Sequence, residues 1–415
     1  MTSPRRLRVA LLTYRGHPHV GGQGVYVHYL SRALAELGHS VEVFSGQPYP
    51  DLDDHVRSTR VPSLDLYRPD DPFRRPRLAE LRAPTNALEY GLMCCGAFPE
   101  PLTFSLRAAR ALAKRRRDFD VVHDNQCLGY GLLRIAREIP VVATVHHPIT
   151  VDRHLAIAEA PGRRERARLW RWYGFTRMQA RVARRLPRLL TVSAASRTDT
   201  ARAFGVPEHA IGIVHNGVDP DLFRPLDHVR AVPGRIIAIV SADLPMKGVV
   251  HLVEALAKVR TERAADLVLA GHGADSPGFR AAARRYGVED AIRFAGRVDK
   301  LELVGLYAQA QAAVVPSLYE GFSFPAVEAM SCGVPLVTTR GGALPEVAGR
   351  HGETALLVPP GDAGALASAI GRVLDDGRLR ARLARAARRR ALERFTWRSS
   401  AEATVEEYRR VLDRC

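Results

Sequence analysis

Apolar residues fall in two patterns along this chain: short continuous runs bounded by turn residues, and longer stretches where they return every third or fourth position. The first pattern suits strands covered on both faces and the second suits helices with one face in a core. Leu7–Thr13, Ser40–Phe44, Val121–His123, Val141–Val145, Leu189–Val192 and Ile211–Val214 read as buried strands. Val25–Leu37 reads as an amphipathic helix closed by Gly38. A second alternating set predicts strands at Ile236–Val240, Leu267–Ala270, Ile292–Phe294, Ala312–Val315, Pro335–Thr338 and Ala355–Val358. Two helices, Leu379–Arg394 and Trp397–Leu412, end the chain.

Strand–helix alternation of this kind predicts parallel sheets with helices on both faces. Phe223–Gly234 (FRPLDHVRAVPG) interrupts it with prolines, charges and no apolar period, so it reads as a linker. The expected architecture is α/β: two doubly wound, Rossmann-like domains facing a deep interdomain cleft. Residues 1–224 form the first domain, 234–395 the second, and 396–415 a terminal helix that can pack back on the first. Ligands of such sheets bind beyond the carboxyl ends of the strands.

Composition adds limits. With 415 residues, 46% hydrophobic and 25% charged, the chain has an ordinary globular balance. No apolar run approaches the ~20 residues of a membrane-spanning helix. The apolar start, Val9–Leu12, is too short for a signal peptide, which predicts a cytoplasmic protein. Five cysteines (94, 95, 127, 332 and 415) match no metal spacing and read as reduced thiols. The net charge of +17 raises a nucleic-acid or membrane partner. However, only four of the 61 basic residues are lysine, an arginine skew that points to coding bias, and no nucleic-acid partner is expected. Arg163–Arg188 carries ten arginines and one acid with Trp170, Trp172, Tyr173 and Phe175 interleaved. It reads either as a basic helix with its aromatics in the core or as an interfacial helix making peripheral contact with the inner face of the plasma membrane.

The chemistry concentrates in Pro316–Pro345 (PSLYEGFSFPAVEAMSCGVPLVTTRGGALP). A strand ends near Val315, a loop carries Glu320, Gly321, Phe322 and Ser323, and Pro325 opens a helix in its first turn. Amides at such a helix start suit an anion such as a diphosphate. Glu320 and Glu328 are both able to face the same pocket, though two glutamates at this spacing alone are equally an ordinary strand–turn–helix. A second glycine turn, Gly341–Gly342, follows the next strand.

This stretch resembles the signature of family 4 of the retaining glycosyltransferases, of the bacterial group 1 type and GT-B fold. The pattern E-G-F-[GS]-x-P-x-x-E-A-M-x-x-G-x-P followed by G-G-x-P-E is met by Glu320, Gly321, Phe322, Ser323, Pro325, Glu328, Ala329, Met330, Gly333, Pro335, Gly341, Gly342, Pro345 and Glu346. Other segments are similar to the family's as well. Val20–Gly24 (VGGQG) resembles the loop that brings Gly21 and Gly22 to the donor phosphates. Thr144–His146 resembles its T-x-H element, with His146 toward the transferred sugar; alone, His146 reads as a core or surface histidine. Asn216–Asp219 resembles its N-G-V-D turn, with Asp219 capping a short helix. Asp219 and Asp221 also spell D-x-D, the metal pattern of a different glycosyltransferase fold, but that motif belongs at a strand end in a single-sheet domain and is not read as a metal site here. Leu244–Gly248 resembles the G-R-x-x-P-x-K-G element, with Lys247 on the diphosphate, although Ala242 stands where the family has arginine. Arg297 and Val298 resemble the segment whose backbone reads the nucleobase.

The resemblance implies a hexosyltransferase that retains configuration, with the leaving diphosphate taking the acceptor's proton. Stabilising the departing diphosphate and an oxocarbenium-like centre is electrostatic work. His146, Glu320 and Lys247 are the expected catalytic set. Gly21, Gly22, Lys247, Arg297, Val298, Glu320, Gly321, Phe322, Ser323 and Glu328 are expected to bind the donor, with Glu320 on its sugar and Glu328 on its ribose. No metal and no further cofactor is implied. The donor is a nucleotide-diphosphate sugar, a UDP-sugar first and GDP-mannose with a lipid-linked acceptor second. The acceptor is an unidentified hydroxyl compound, with Leu88–Phe104 and Asp124–Tyr130 as candidate walls. A non-catalytic nucleotide-sugar or polyanion binder is the alternative of another class.

Overall fold

A computed structural model describes residues 5–16, 22–68, 70–239, 245–271 and 276–413. The chain divides into two compact units, Met1–Val214 with Ser400–Cys415, and His215–Ser399.

The first unit holds a seven-stranded parallel sheet. Its strands are β1 (Arg8–Thr13), β2 (Ser40–Ser45), β3 (Arg57–Arg60), β4 (Val121–Asn125), β5 (Val141–Val145), β6 (Arg188–Thr191) and β7 (Ile211–Ile213), in the order β3-β2-β1-β4-β5-β6-β7. Six of the seven coincide within a residue or two with apolar runs of the sequence. β3 does not: its residues, RSTR, are polar and mostly exposed, and it pairs only with β2 at the sheet edge. An edge strand covered on few sides has no need of an apolar run. Helix Gly22–Glu36 turns Tyr26, Val27, Leu30, Ala33 and Leu34 into the core, and ends before Gly38 at φ +88°. The sheet's far face packs Leu12, Phe44 and Val122 against Leu112, Ile139 and Val182.

The second unit repeats the plan with β8 (Arg235–Ile239), β9 (Asp266–Ala270), β10 (Ile292–Gly296), β11 (Ala312–Val315), β12 (Leu336–Thr339) and β13 (Ala355–Val358), all parallel, in the order β10-β9-β8-β11-β12-β13. Leu252, Leu256, Leu267, Val314, Leu356 and Ile370 lie in its core. In each sheet the chain winds outward from the middle in both directions. The switch point falls between β1 and β4 in the first unit and between β8 and β11 in the second, where ligand crevices of doubly wound sheets form.

Two details depart from the sequence reading. The N-G-V-D turn groups with the second unit rather than the first, because the Val218 amide donates to the Phe395 carbonyl (2.7 Å) and the Ser331 hydroxyl to the Phe223 carbonyl (2.5 Å). Asp219 caps a turn and no helix: its Oδ1 accepts from the amides of Asp221 (3.1 Å) and Leu222 (3.3 Å). The terminal helix Trp397–Leu412 joins the first unit from Ser400 onward. It buries Ala401, Val405, Tyr408 and Val411 there, and Glu407 receives both arms of Arg188 (2.7 and 3.1 Å).

Candidate active site

In the second unit, the loops after β8 and β11 are fastened to each other across the switch point. The Leu318 amide donates to the Met246 carbonyl (2.7 Å). Gly248 has φ +64°, and a Cβ there would stand 2.1 Å from the Pro316 carbonyl oxygen, so only glycine allows this approach. The fastening carries Lys247 to Glu320: Nζ lies 2.7 Å from Oε1, and the Ser317 hydroxyl donates to the same oxygen (2.7 Å). Lys247 is the more exposed partner, at 28% against 11%. A cation and a carboxylate thus meet at the carboxyl edge of the sheet.

The turn after Glu320 leads directly into a helix start. Ser323 sits at φ +92°, a strained value for a side-chain-bearing residue, and caps helix Phe324–Ser331 by accepting from the Ala326 amide (3.4 Å). Gly321 is half-buried. The Phe322 ring is buried against Phe324 and Phe395, which leaves its backbone amide as the group able to meet a ligand. Gly342, at φ +60°, lies under this loop, and a Cβ on it would meet the Glu320 carbonyl oxygen at 2.3 Å. The Ala343 amide donates to that same carbonyl (2.8 Å).

Glu328 is one turn further along the helix and has a different partner. The Tyr307 hydroxyl donates to its Oε2 (3.4 Å) and to the Pro325 carbonyl (3.2 Å). Burial outweighs this bond and pushes the Glu328 carboxyl up to about 7. Arg297 and Val298 follow the edge strand β10, two strands from β8. Arg297 is exposed and Val298 half-buried.

In the first unit, His146 follows β5 beside the other switch point. Its Nε2 donates to Asn125 Oδ1 (2.7 Å), and its backbone amide to Gln126 Oε1 (2.7 Å). Asn125 in turn donates to Thr13 Oγ1 and the Gln23 carbonyl (both 3.3 Å), tying β4 to β1 and to the first helix. Burial lowers His146 to about 4, so the ring is neutral at ordinary pH, with hydrogen on Nε2 and a lone pair on Nδ1. It can accept a hydroxyl hydrogen there but does not carry charge. Gly22 opens helix Gly22–Glu36, while Gly21 and Ala242 lie outside the described residues. Among the described residues, no three His, Cys, Asp or Glu side chains gather as metal ligands.

A family model described as Glycosyl transferases group 1 matches residues 227–390, and one described as Glycosyltransferase Family 4 matches residues 20–222. The chain is 52% identical over 410 residues to the MMP alpha-(1->4)-mannosyltransferase of Mycolicibacterium hassiacum, covering 98% of this chain and 99% of that one. This chain is a group 1, family 4 glycosyltransferase. It is also 30% identical to the glycogen synthase of Mycobacterium tuberculosis, over 97% of this chain and 94% of that one. Among solved structures, sucrose-phosphate synthase from Thermosynechococcus elongatus shares the GT-B fold, with a TM-score of 0.73 and 24% identity over 99% of this chain and all of that one.

The basic segment of this glycosyltransferase is not one helix. It forms helices Arg163–Trp172 and Phe175–Ala183, parted at Tyr173–Gly174, and Arg188 begins β6. Trp172 and Phe175 turn toward Phe98, and Trp172 and Phe98 both meet Tyr67. Trp170 stays exposed between the Arg153 and Arg177 guanidiniums, 4.1 and 4.9 Å from its ring centroid. Among the described residues no helix is long and apolar enough to cross a membrane. Asn125 falls in the Asp124–Tyr130 segment expected to line the acceptor side, whereas Ser317, Tyr307 and Tyr26 were not expected as site neighbours. Ser317 stands three residues before Glu320; Tyr307 and Tyr26 are joined to the site only by tertiary contacts.

Proposed function

We propose that this glycosyltransferase moves a mannosyl group from a nucleotide-diphosphate mannose to a saccharide hydroxyl, with retention of configuration. The observation that carries the donor site is the Lys247–Glu320 pair, fastened across the switch point of the second unit. On binding, Lys247 shifts from Glu320 to the diphosphate as a compact cation. The amides of Gly321, Phe322 and Ser323 and the helix start supply further donors to it. Glu320, released, takes donor-sugar hydroxyls, and Glu328 takes the ribose. Backbone at Arg297–Val298 reads the base, and the loop at Gly21–Gly22 approaches the phosphates. His146 accepts a hydroxyl hydrogen of the transferred sugar through Nδ1. The leaving phosphate oxygen takes the acceptor's proton as the new glycosidic bond forms. Lys247 supplies the positive charge that a metal would otherwise bring, so turnover persists in EDTA.

The mannosyltransferase at 52% identity supports mannose as the sugar, and this moves GDP-mannose ahead of the UDP-sugars expected first from sequence. The test is a panel of GDP-mannose, UDP-glucose, UDP-N-acetylglucosamine and ADP-glucose, scored by thermal stabilisation and by nucleotide release with oligomannoside acceptors. GDP-mannose should stabilise and turn over selectively. Selective use of a UDP-sugar would overturn the donor assignment. Helix Arg163–Trp172 buries none of its residues and presents five arginines, which supports peripheral contact with an anionic membrane surface as a second element.

A further inference from the structure

The first unit contains a buried chain of side chains that the donor chemistry does not use. Thr144 Oγ1, near the end of β5, lies 3.1 Å from the Tyr26 hydroxyl and 2.7 Å from His123 Nε2. His123 Nδ1 lies 2.6 Å from the Tyr408 hydroxyl, on the terminal helix. Tyr26, His123, Thr144 and Tyr408 are all essentially inaccessible to solvent. At its near end the chain meets the site: Tyr26 stands edge-on to the His146 ring, with centroids 4.5 Å apart and planes at 77°.

Hydrogen accounting gives the chain a direction. Burial lowers His123 to about 3, so the ring is neutral and carries one hydrogen. The bond described for the Tyr408 hydroxyl is the one to Nδ1, and a buried hydroxyl hydrogen without an acceptor is costly. Tyr408 therefore donates to Nδ1. The ring hydrogen then sits on Nε2 and goes to Thr144, and Thr144 donates to Tyr26. Each group is oriented by the one before it, starting from the terminal helix and ending at the ring against His146. Asn125 fixes His146 in its plane through Nε2, and Tyr26 limits its tilt by the edge contact.

We propose that Tyr26 is a positioning residue for His146, and that Tyr408, through His123 and Thr144, holds Tyr26 in place. This rests on the reading that His146 serves the transferred sugar. A plain packing role predicts lower thermal stability with normal turnover per folded molecule. A positioning role predicts a loss in kcat with little change in donor KM, because most of the groups assigned to donor binding, Lys247, Glu320, Glu328 and the Arg297–Val298 backbone, lie in the other unit.

The experiment measures kcat and KM for GDP-mannose, with melting temperature, on Y408F, Y26F, Y26L, H146N and the Y26L/H146N double variant. Y408F and Y26F keep their rings, so they remain informative if Y26L folds poorly. Expected are a three- to tenfold fall in kcat for Y408F and Y26F, a larger fall for Y26L, and donor KM within twofold throughout. The double variant should match H146N alone, since a positioner has nothing left to position. Normal kcat in Y26L and Y408F, or losses that multiply in the double variant while H146N is impaired, would overturn this assignment alone. Normal kcat in H146N would overturn the reading of His146 and this assignment with it.

Discussion

Lys247 and Glu320 pair with each other at 2.7 Å, so each competes with the donor contact proposed for the other. If Lys247 holds the diphosphate as proposed, Lys247→Ala removes a charge-assisted bond worth about 1.5–3 kcal/mol and should lower kcat/KM for donor by roughly ten- to a hundredfold. Lys247→Met with Glu320→Gln should lose less than the product of the two single effects, because each single change leaves the other group without its partner. Steady-state kinetics on the three variants check this, and full multiplicativity would mean that the pair acts independently. Glu328 makes a pH prediction. Its carboxyl is raised from an ordinary 4.5 to about 7, while the proposed ribose contact is made best by its ionised form. Nucleoside diphosphate affinity should therefore rise with pH up to about 7, by at most about tenfold per unit, and then level, with proton release on binding below that point. The free protein responds in the opposite sense: the raised value adds stability below pH 4.5 that is lost as pH rises through about 7. Calorimetric titration in buffers of different ionisation enthalpy reads the released proton, and Glu328→Gln should abolish it. At this scale the sequence was legible where a motif names a residue, as for Lys247, Glu320 and Glu328. It was silent where a residue matters through a neighbour distant in the chain, as for Tyr307 beside Glu328.

The elements that carry these residues were legible for a physical reason: strands buried on both faces need unbroken apolar runs, and such runs stand out. β3 shows the converse, a polar edge strand held by β2 alone that leaves no such trace. The N-G-V-D turn shows another limit, since its sequence marks a turn but not which unit the turn joins; hydrogen bonds to Phe395 and Ser331 decide that. The glycine turn after β12 is where element geometry becomes a site property. Gly342→Ala would place a Cβ 2.3 Å from the Glu320 carbonyl at φ +60°, so the Glu320 loop must move. Gly352→Ala is the control, with a similar backbone strain at φ +79° and open space around it. Both should lose about 1 kcal/mol or more of stability from left-handed strain. Only Gly342→Ala should also lower kcat/KM for donor, by tenfold or more, as read by kinetics alongside thermal melts. Equal activity in the two variants would show that the glycine turn does not set the loop.

At the scale of the whole molecule, the terminal helix makes the first unit dependent on the last residues of the chain, while the second unit is continuous from His215 to Ser399. Truncation after Ser399 removes Ala401, Val405, Tyr408 and Val411 from the first core, at about 1.5–3 kcal/mol for each of the larger side chains. It also removes Glu407, the ion-pair partner of Arg188. His123 loses its bond to Tyr408 as well. The total reaches the roughly 5–15 kcal/mol by which a domain is stable, so the first unit should unfold or melt far below its normal temperature. Lys247, Glu320 and Glu328 and all the contacts that place them lie inside the second unit. The truncated chain should therefore keep one cooperative transition that GDP raises, while transfer is lost. Differential scanning calorimetry with and without GDP checks this. A truncated chain that loses GDP stabilisation would show that Lys247, Glu320 and Glu328 do not suffice to hold the nucleotide, and one that keeps its first transition unshifted would show that the terminal helix contributes little to the first core.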